Sequence, residues 1–220
     1  MNIPELIGEE WAHMLPKAEE LLAPIREQLR EERAVGTTVL PESNKIFRIF
    51  KEVPPSKIRV IFLAQDPYSN PIGMATGRAF ECGKHPTASW RKIVQIYKDE
   101  VPDPNPQVIA GNLDHWVHQG VFLINKALTV RHKMPNSHTR FWEPFTRYAI
   151  GVALTDLNPK AVILLGSEAQ RMIPRVHSPH KGFYAEHPAA ASYADRRWDA
   201  KGLFTGVTEF LNFHDINFKF

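Results

Sequence analysis

Cysteine is almost absent from this 220-residue chain: Cys82 stands alone. A single thiol forms no internal disulfide and no thiolate metal cage. Long apolar runs are missing too. Nothing approaches the roughly 18–20 residues that span a bilayer. The start, Met1-Asn2-Ile3-Pro4-Glu5, is acidic and lacks the basic-then-apolar pattern of a secretory signal. These absences imply a reducing compartment: the cytoplasm, or the host cytoplasm for a viral chain, with no membrane partner. No G-x-x-x-x-G-K-[ST], G-x-G-x-x-G or G-x-S-x-G occurs, which disfavours nucleotide cofactors and serine hydrolase chemistry. No two His or Cys sit at metal-ligand spacing on one element. His177 and His180 are close, but their segment holds Pro174 and Pro179 and lacks further ligands, so no metal site is expected. Neither charge sign dominates: 27 Lys+Arg against 24 Asp+Glu leave a net +3, which permits a polyanion partner without requiring one.

What is present is a globular composition, 43% hydrophobic and 23% charged, in one domain over residues 1–220. The most informative stretch is Ile58-Arg59-Val60-Ile61-Phe62-Leu63-Ala64-Gln65-Asp66-Pro67-Tyr68. A β-branched apolar run of strand length reads as a strand buried on both faces of a parallel sheet. Pro67 fixes its own φ and biases Asp66 toward an extended conformation. A carboxylate on a stiff turn above a rigid strand is well placed for catalysis, although Asp-Pro is also an ordinary turn signal.

Residues 3–35 read as helical, broken near Pro16 and Pro24, with Gly36 as a stop. Ser43 is a plausible cap for a helix carrying Ile46, Phe47, Ile49 and Phe50, and Thr87 or Ser89 for one through Ile93, Val94 and Tyr97. Further buried strands are expected at 121–124, 161–165 and, shorter, 182–185. Helices are expected at 112–118, at 140–156 with Phe141, Phe145, Tyr148 and Val152 on one stripe, and at about 197–211. The alternation predicts an α/β fold: a three-layer α/β/α sandwich around a mostly parallel four-stranded sheet. Each strand then delivers polar groups at its carboxyl end: Gln65, Asp66 and Tyr68, then Asn125, Ser167 and His187. In a parallel sheet these ends share one edge and one crevice. Asp, Asn and His there suggest a base, an amide reader and a hydrogen-bond donor.

These residues resemble the motifs of the family 1 uracil-DNA glycosylases. The family's Gly-Gln-Asp-Pro-Tyr-His is matched by Ala64 to Ser69, its Gly-x-Ala-Phe-Ser by Gly77 to Glu81, and its Leu-Leu-Asn-x-x-Leu-Thr-Val by Leu123 to Val130. Its Trp-Gly-Ser-x-Ala-Gln is matched by Leu165 to Gln170, and its His-Pro-Ser-Pro-Leu-Ser by His187 to Ser192. Glu32 to Pro41 echoes the N-terminal Glu-Arg-x-x-Gly-x-Thr-Ile-Tyr-Pro-Pro, and Ile216-Asn217-Phe218 the closing Ile-x-Trp strand. The likeness runs in order through nearly the whole chain. It implies a monomeric, cofactor-free enzyme that flips deoxyuridine out of single- or double-stranded DNA and hydrolyses its N-glycosidic bond in base-excision repair. It also implies an acidic, DNA-mimicking inhibitor protein as a partner. Asp66 would orient the water and stabilise the sugar cation, and His187 would donate to uracil O2. Phe80 would stack on the base, Asn125 read its edge, Tyr68 exclude a C5 methyl, and the backbone at Gln65 complete the pocket. Ser89, Ser167 and Ser192 would grip the DNA backbone.

Three departures stand out. Ser69 replaces His, Ala64 replaces Gly, and the intercalating Leu aligns with Ala191, with Ala189 and Ala190 before it. A methyl cannot fill the gap left by a flipped nucleotide, so Tyr193 or Arg196 is the candidate wedge. The alternative function is a glycosylase-fold DNA-binding or replication scaffold, which need not keep Asp66, Asn125 and His187 together. A modified uracil as substrate is a third reading.

Overall fold

The structure is a computed structural model that describes residues 2–83, 85–194 and 196–220, without the side chain of Ser192. Four five-residue strands form a sheet in the order β3-β2-β5-β6, every pair parallel: β2 (Val60–Ala64), β3 (Val121–Asn125), β5 (Ala161–Leu165) and β6 (Lys181–Ala185). A separate antiparallel pair joins β1 (Val39–Leu40) to β4 (Val130–Arg131). The helices are α1 (Ile3–Ile7), α2 (Glu9–Met14), α3 (Ala18–Ala34), α4 (Arg48–Glu52), α5 (Ala88–Glu100) and α6 (Pro106–Ile109). After these come α7 (Asp114–His118), α8 (Thr139–Ala153), α9 (Gly166–Met172), α10 (Pro188–Tyr193) and α11 (Leu203–Phe213). No helix among the described residues is long and apolar enough to cross a membrane.

Strand residues alternate between two aromatic layers, which makes the three-layer sandwich physical. Phe122 of β3 points to one face, where its ring lies 5.2 Å from both Trp11 and Phe50; Phe145 of α8 adds to this cluster, 5.7 Å from Phe50. Phe62 of β2 points to the other face, 6.3 Å from Trp116 of α7, which meets Tyr97 of α5 and Phe204 of α11. The strands are covered on both sides, so their near-continuous apolar sequence is what a buried parallel sheet requires.

Several local expectations change. Pro24 lies inside α3, which begins at Ala18. Ser43 starts a short 3₁₀ turn, and the helix beyond it is α4. In α8 the buried residues are Trp142, Phe145, Thr146, Ala149, Ile150 and Ala153, while Phe141, Tyr148 and Val152 lie at the margin. Trp142 and its neighbours pack between the sheet side and α3, which rotates the helix away from the expected stripe. The last helix starts at Leu203, and Trp198 is buried in the loop before it. Residues 216–218 form no strand, although Phe218 is fully buried. The segment after His187 is helix α10.

Truncating one of these rings should show how far stability rests on these layers. Phe50→Ala should cost about 3–5 kcal/mol in a denaturant melt, and a loss under about 1 kcal/mol would contradict the packing described.

Candidate active site

The sheet register sets the geometry first. Ala64 at the end of β2 is opposite Asn125 at the end of β3. Beyond the strands the pairing continues: the Lys126 N–H donates to Ala64 O at 2.9 Å and the Ala127 N–H to Gln65 O at 3.0 Å. The turn that carries Asp66 is thus held to its neighbour by backbone. The Asp66 carboxylate accepts one hydrogen bond among the described residues, from the Asn136 N–H to Oδ2 at 2.7 Å. Burial pushes the Asp66 carboxyl above the usual carboxylate range, and this N–H opposes the rise. The side chain of Asn136 also meets Gln65 Nε2 through its Oδ1. Tyr68 donates from its hydroxyl to Phe80 O at 3.2 Å, and burial holds the phenol far above its ordinary pKa, hence neutral.

Phe80 stands on a turn that few sequences could adopt. Gly77 has φ +87°, and a Cβ there would come within 2.0 Å of Lys45 O, so only glycine fits. Phe80 itself has φ +63°, a left-handed conformation that costs a non-glycine residue about 1–3 kcal/mol. Its ring lies 4.6 Å from that of Phe62 and is 8% exposed. An ion-pair network brackets the turn. Buried Arg78 donates to both oxygens of Glu52, at 2.7 and 2.9 Å, to Glu81 at 2.7 Å and to Asp114 at 2.7 Å. Arg48 joins Glu52 at 2.8 Å and Glu81 at 3.0 Å. The carboxylate at position 81, where the resembling family carries Ser, is therefore matched by two guanidinium groups. Such a network offsets the desolvation of its members only because each is multiply hydrogen-bonded.

Asn125 is 5% exposed, and its Oδ1 is buried with no hydrogen-bond partner among the described residues. An orphaned buried acceptor costs about 1–3 kcal/mol, which a ligand donor would recover. His187 follows β6 at the third corner. The Ala189 N–H donates to its Nδ1 at 3.2 Å, so the proton of the neutral ring sits on Nε2. Burial pushes its pKa below the ordinary value, favouring the neutral ring. Gly166, with φ +81°, lets the chain pass His187: a Cβ on Gly166 would lie 2.9 Å from the His187 Cβ.

These groups enclose a cavity of about 210 Å³ lined by Gln65, Asp66, Tyr68, Phe80, Asn125 and His187, with Ser69 and Ser89 also on its wall. A larger cavity of about 610 Å³ lies between the loop after α5 and α11 and holds none of them. Thr87 caps α5, accepting from the Trp90 N–H at 3.1 Å, which leaves Ser89 in the first turn facing the cavity. Ser167 is exposed in the first turn of α9 and is not part of the cavity wall. Ala191, aligned with the intercalating residue, is fully buried on the inner side of α10, so its methyl has no path to a ligand. The side chain of Ser192 lies outside the described residues. Tyr193 is 91% exposed at the end of α10, whereas the Arg196 guanidinium is paired with Glu186. Asn136, Pro135 and Arg78 line or brace the site without any signal singled out in the sequence motifs. The Pro-Asn pair was the available signal, since Asn tolerates the φ of +67° found there. Among the described residues no group of three or more His, Cys, Asp or Glu is placed to hold a metal ion.

A sequence profile described as the uracil DNA glycosylase superfamily matches residues 50–211. The chain is 34% identical to the uracil-DNA glycosylase of Nocardioides sp. over 203 residues, 83% of this chain and 85% of that protein. It is 35% identical to that of Actinobacillus succinogenes over 222 aligned positions, 97% of this chain and 94% of that protein. The crystal structure of the mimivirus uracil-DNA glycosylase, whose Y322L variant has been solved in complex with UGI, is similar with a TM-score of 0.83. It is 21% identical and covers 98% of this chain and 87% of its own, a likeness that speaks for the fold.

The arrangement at the third corner is open to direct measurement. Nitrogen-15 NMR of His187 should show a neutral ring protonated on Nε2 at pH 7, titrating below 6.5. A ring already charged at pH 7 would contradict the geometry.

Proposed function

The chain belongs to the uracil DNA glycosylase superfamily, and from that membership we propose that it excises uracil from DNA by hydrolysing the N-glycosidic bond of deoxyuridine, leaving an abasic site. The observation that carries this is the unpartnered Asn125 Oδ1 in one small cavity with Asp66, Phe80 and His187. The cavity is below the roughly 300–1,000 Å³ of sites for drug-sized ligands, a volume suited to a single base. Nothing observed favours a pure DNA-binding scaffold.

The flipped uracil stacks on Phe80. Asn125 accepts from N3–H through Oδ1 and donates from its amide to O4, a pattern cytosine cannot complement. Tyr68 stands where thymine carries its methyl. The bond between C1′ and N1 breaks with its electron pair leaving on the base. The Nε2–H of neutral His187 donates to O2 as the charge develops there, in a site already dry and oriented. Asp66, ionised, stabilises the cationic sugar and accepts the proton of the water that attacks C1′. Burial that raises its pKa also strengthens both effects. Ser69 supplies a hydroxyl but no charge to this water site. Ser89, Ser167 and Ser192 bind phosphates without reading sequence. Tyr193 inserts into the vacated stack in place of the family's Leu, since Ala191 is buried and Arg196 is held by Glu186. DNA is the partner, and the same cleft offers an acidic inhibitor protein its binding place.

Two assays test this. With uracil-containing oligonucleotides in EDTA followed by alkali, the protein should produce strand breaks at uracil, and Asp66→Asn should lose about 10²–10⁴-fold in rate. A wild-type protein as inert as that variant would refute the activity. For the wedge, Tyr193→Ala should slow excision from duplex DNA more than from single strands. Equal effects on the two substrates would show that Tyr193 does not plug the stack.

A further inference from the structure

The N-terminal Glu32–Pro41 motif has no place in the mechanism above, yet Glu32 is 5% exposed. A buried carboxylate needs a reason. Its partners supply one. Glu32 Oε1 accepts from Arg131 Nη2 at 2.7 Å, and Oε2 from Arg131 Nε at 3.1 Å and from His138 Nε2 at 3.0 Å. Gln28 of the same helix adds a bond at 3.1 Å. The Arg131 pair holds the Glu32 carboxyl down to about 2, with burial opposing it.

Arg131 and His138 are the two ends of one loop, and that loop delivers the Asn136 N–H to Asp66. Its path is awkward: Lys133 and Asn136 have φ of +60° and +67°. Backbone in such conformations persists only when its surroundings over-determine it. Inside the loop the Arg131 N–H donates to Ser137 Oγ at 2.9 Å, and the Lys133 N–H donates to Ser69 O at 2.9 Å. His138 is fully buried and held in one tautomer. The Trp142 Nε1–H donates to Thr129 Oγ1 at 2.7 Å, and the Thr129 hydroxyl, 2.8 Å away, donates to His138 Nδ1. His138 Nε2–H is then the donor to Glu32, in line with a pKa pushed below its usual value chiefly by burial.

We infer that Glu32 is a positioning residue for excision: by binding both ends of the 131–138 loop it presents the Asn136 N–H to the Asp66 carboxylate. The inference rests on the reading of Asp66 as the reacting carboxylate. Glu32 does not line the cavity. The titratable groups that share the cavity with Asp66 are Tyr68, Arg78 and His187; those against Glu32 are Arg131 and His138. Arg78 is matched by Glu52, Glu81 and Asp114, and Tyr68 and His187 are neutral at pH 7, so none of them replaces the missing N–H.

The consequence has a sign. Burial raises the Asp66 pKa and the Asn136 N–H lowers it. Releasing the loop leaves burial unopposed, so Asp66 needs a higher pH to ionise. Glu32→Gln places an amide N–H₂ against donors on Arg131 or His138 and frees one end of the loop. Its kcat/KM should fall about tenfold more at pH 5 than at pH 8, relative to the unaltered protein. Leu29→Ala, a core truncation on the same helix, is the stability control: it should lower the melting temperature and leave the pH profile in place. Should Glu32→Gln not fold, Arg131→Lys, which loses the two-pronged grip but keeps the charge, should move the acid limb in the same direction by less. Parallel profiles, with equal losses at every pH, would overturn the role of Glu32 and leave excision standing. An unaltered protein inactive at all pH values would instead refute the excision reading beneath it.

Discussion

The parallel register of four strands is the constraint on which everything else depends. Because Ala64 lies opposite Asn125, Leu63 opposite Leu164, and Leu165 opposite Ala185, the four strands end level, and three of them deliver Asp66, Asn125 and His187 to one edge. The chain runs from β2 to β3 on one side and then to β5 on the other side of β2. The crevice beside that reversal is where an open α/β sheet can admit a ligand. A slip of one residue in β3 would turn Asn125 away from the pocket and point Phe122 at the wrong aromatic layer. The two layers of rings therefore protect the geometry of the cavity as well as stability.

The site is assembled from features that are unfavourable by themselves. Phe80 sits at positive φ, and among the described residues Asn125 keeps an unmatched acceptor and half-buried Asp66 has a single protein hydrogen bond. Each is held by something rigid nearby. Gly77 and the Arg48–Glu52–Arg78–Glu81–Asp114 network fix the turn under Phe80. Gly166 makes room for His187, and Glu32 reaches from the far end of α3 to the loop behind Asp66. Binding of a base would relieve the cost at Asn125 directly.

One physical cause, burial, acts in opposite directions on the Asp66 and His187 side chains. It disfavours charge on both, so the Asp66 carboxyl rises while the His187 imidazole falls. The result is an imidazole that donates without carrying charge and a carboxylate whose field is little screened. Both suit a reaction in which a cation and an anion separate.

Much of this was legible in the chain itself. Apolar runs of strand length, each ending in a polar residue, specified the sheet and placed Asp66, Asn125 and His187, because periodicity and strand ends are local properties. Family motifs then assigned Phe80 and Tyr68. What the sequence could not show depends on contacts between segments far apart. Glu32 and Arg131 are 99 residues apart, and no local pattern announces that they meet. The helix after His187 forms because Ala191 packs into the core; short helices owe their existence to tertiary burial more than to propensity. That burial withdrew Ala191 and left Tyr193 exposed at the end of α10. The stripe on α8 was misplaced for the same reason: which side of a helix is buried is decided by what lies against it. Sequence determined which elements form and which chemistry they carry, and tertiary structure decided which groups hold that chemistry in position.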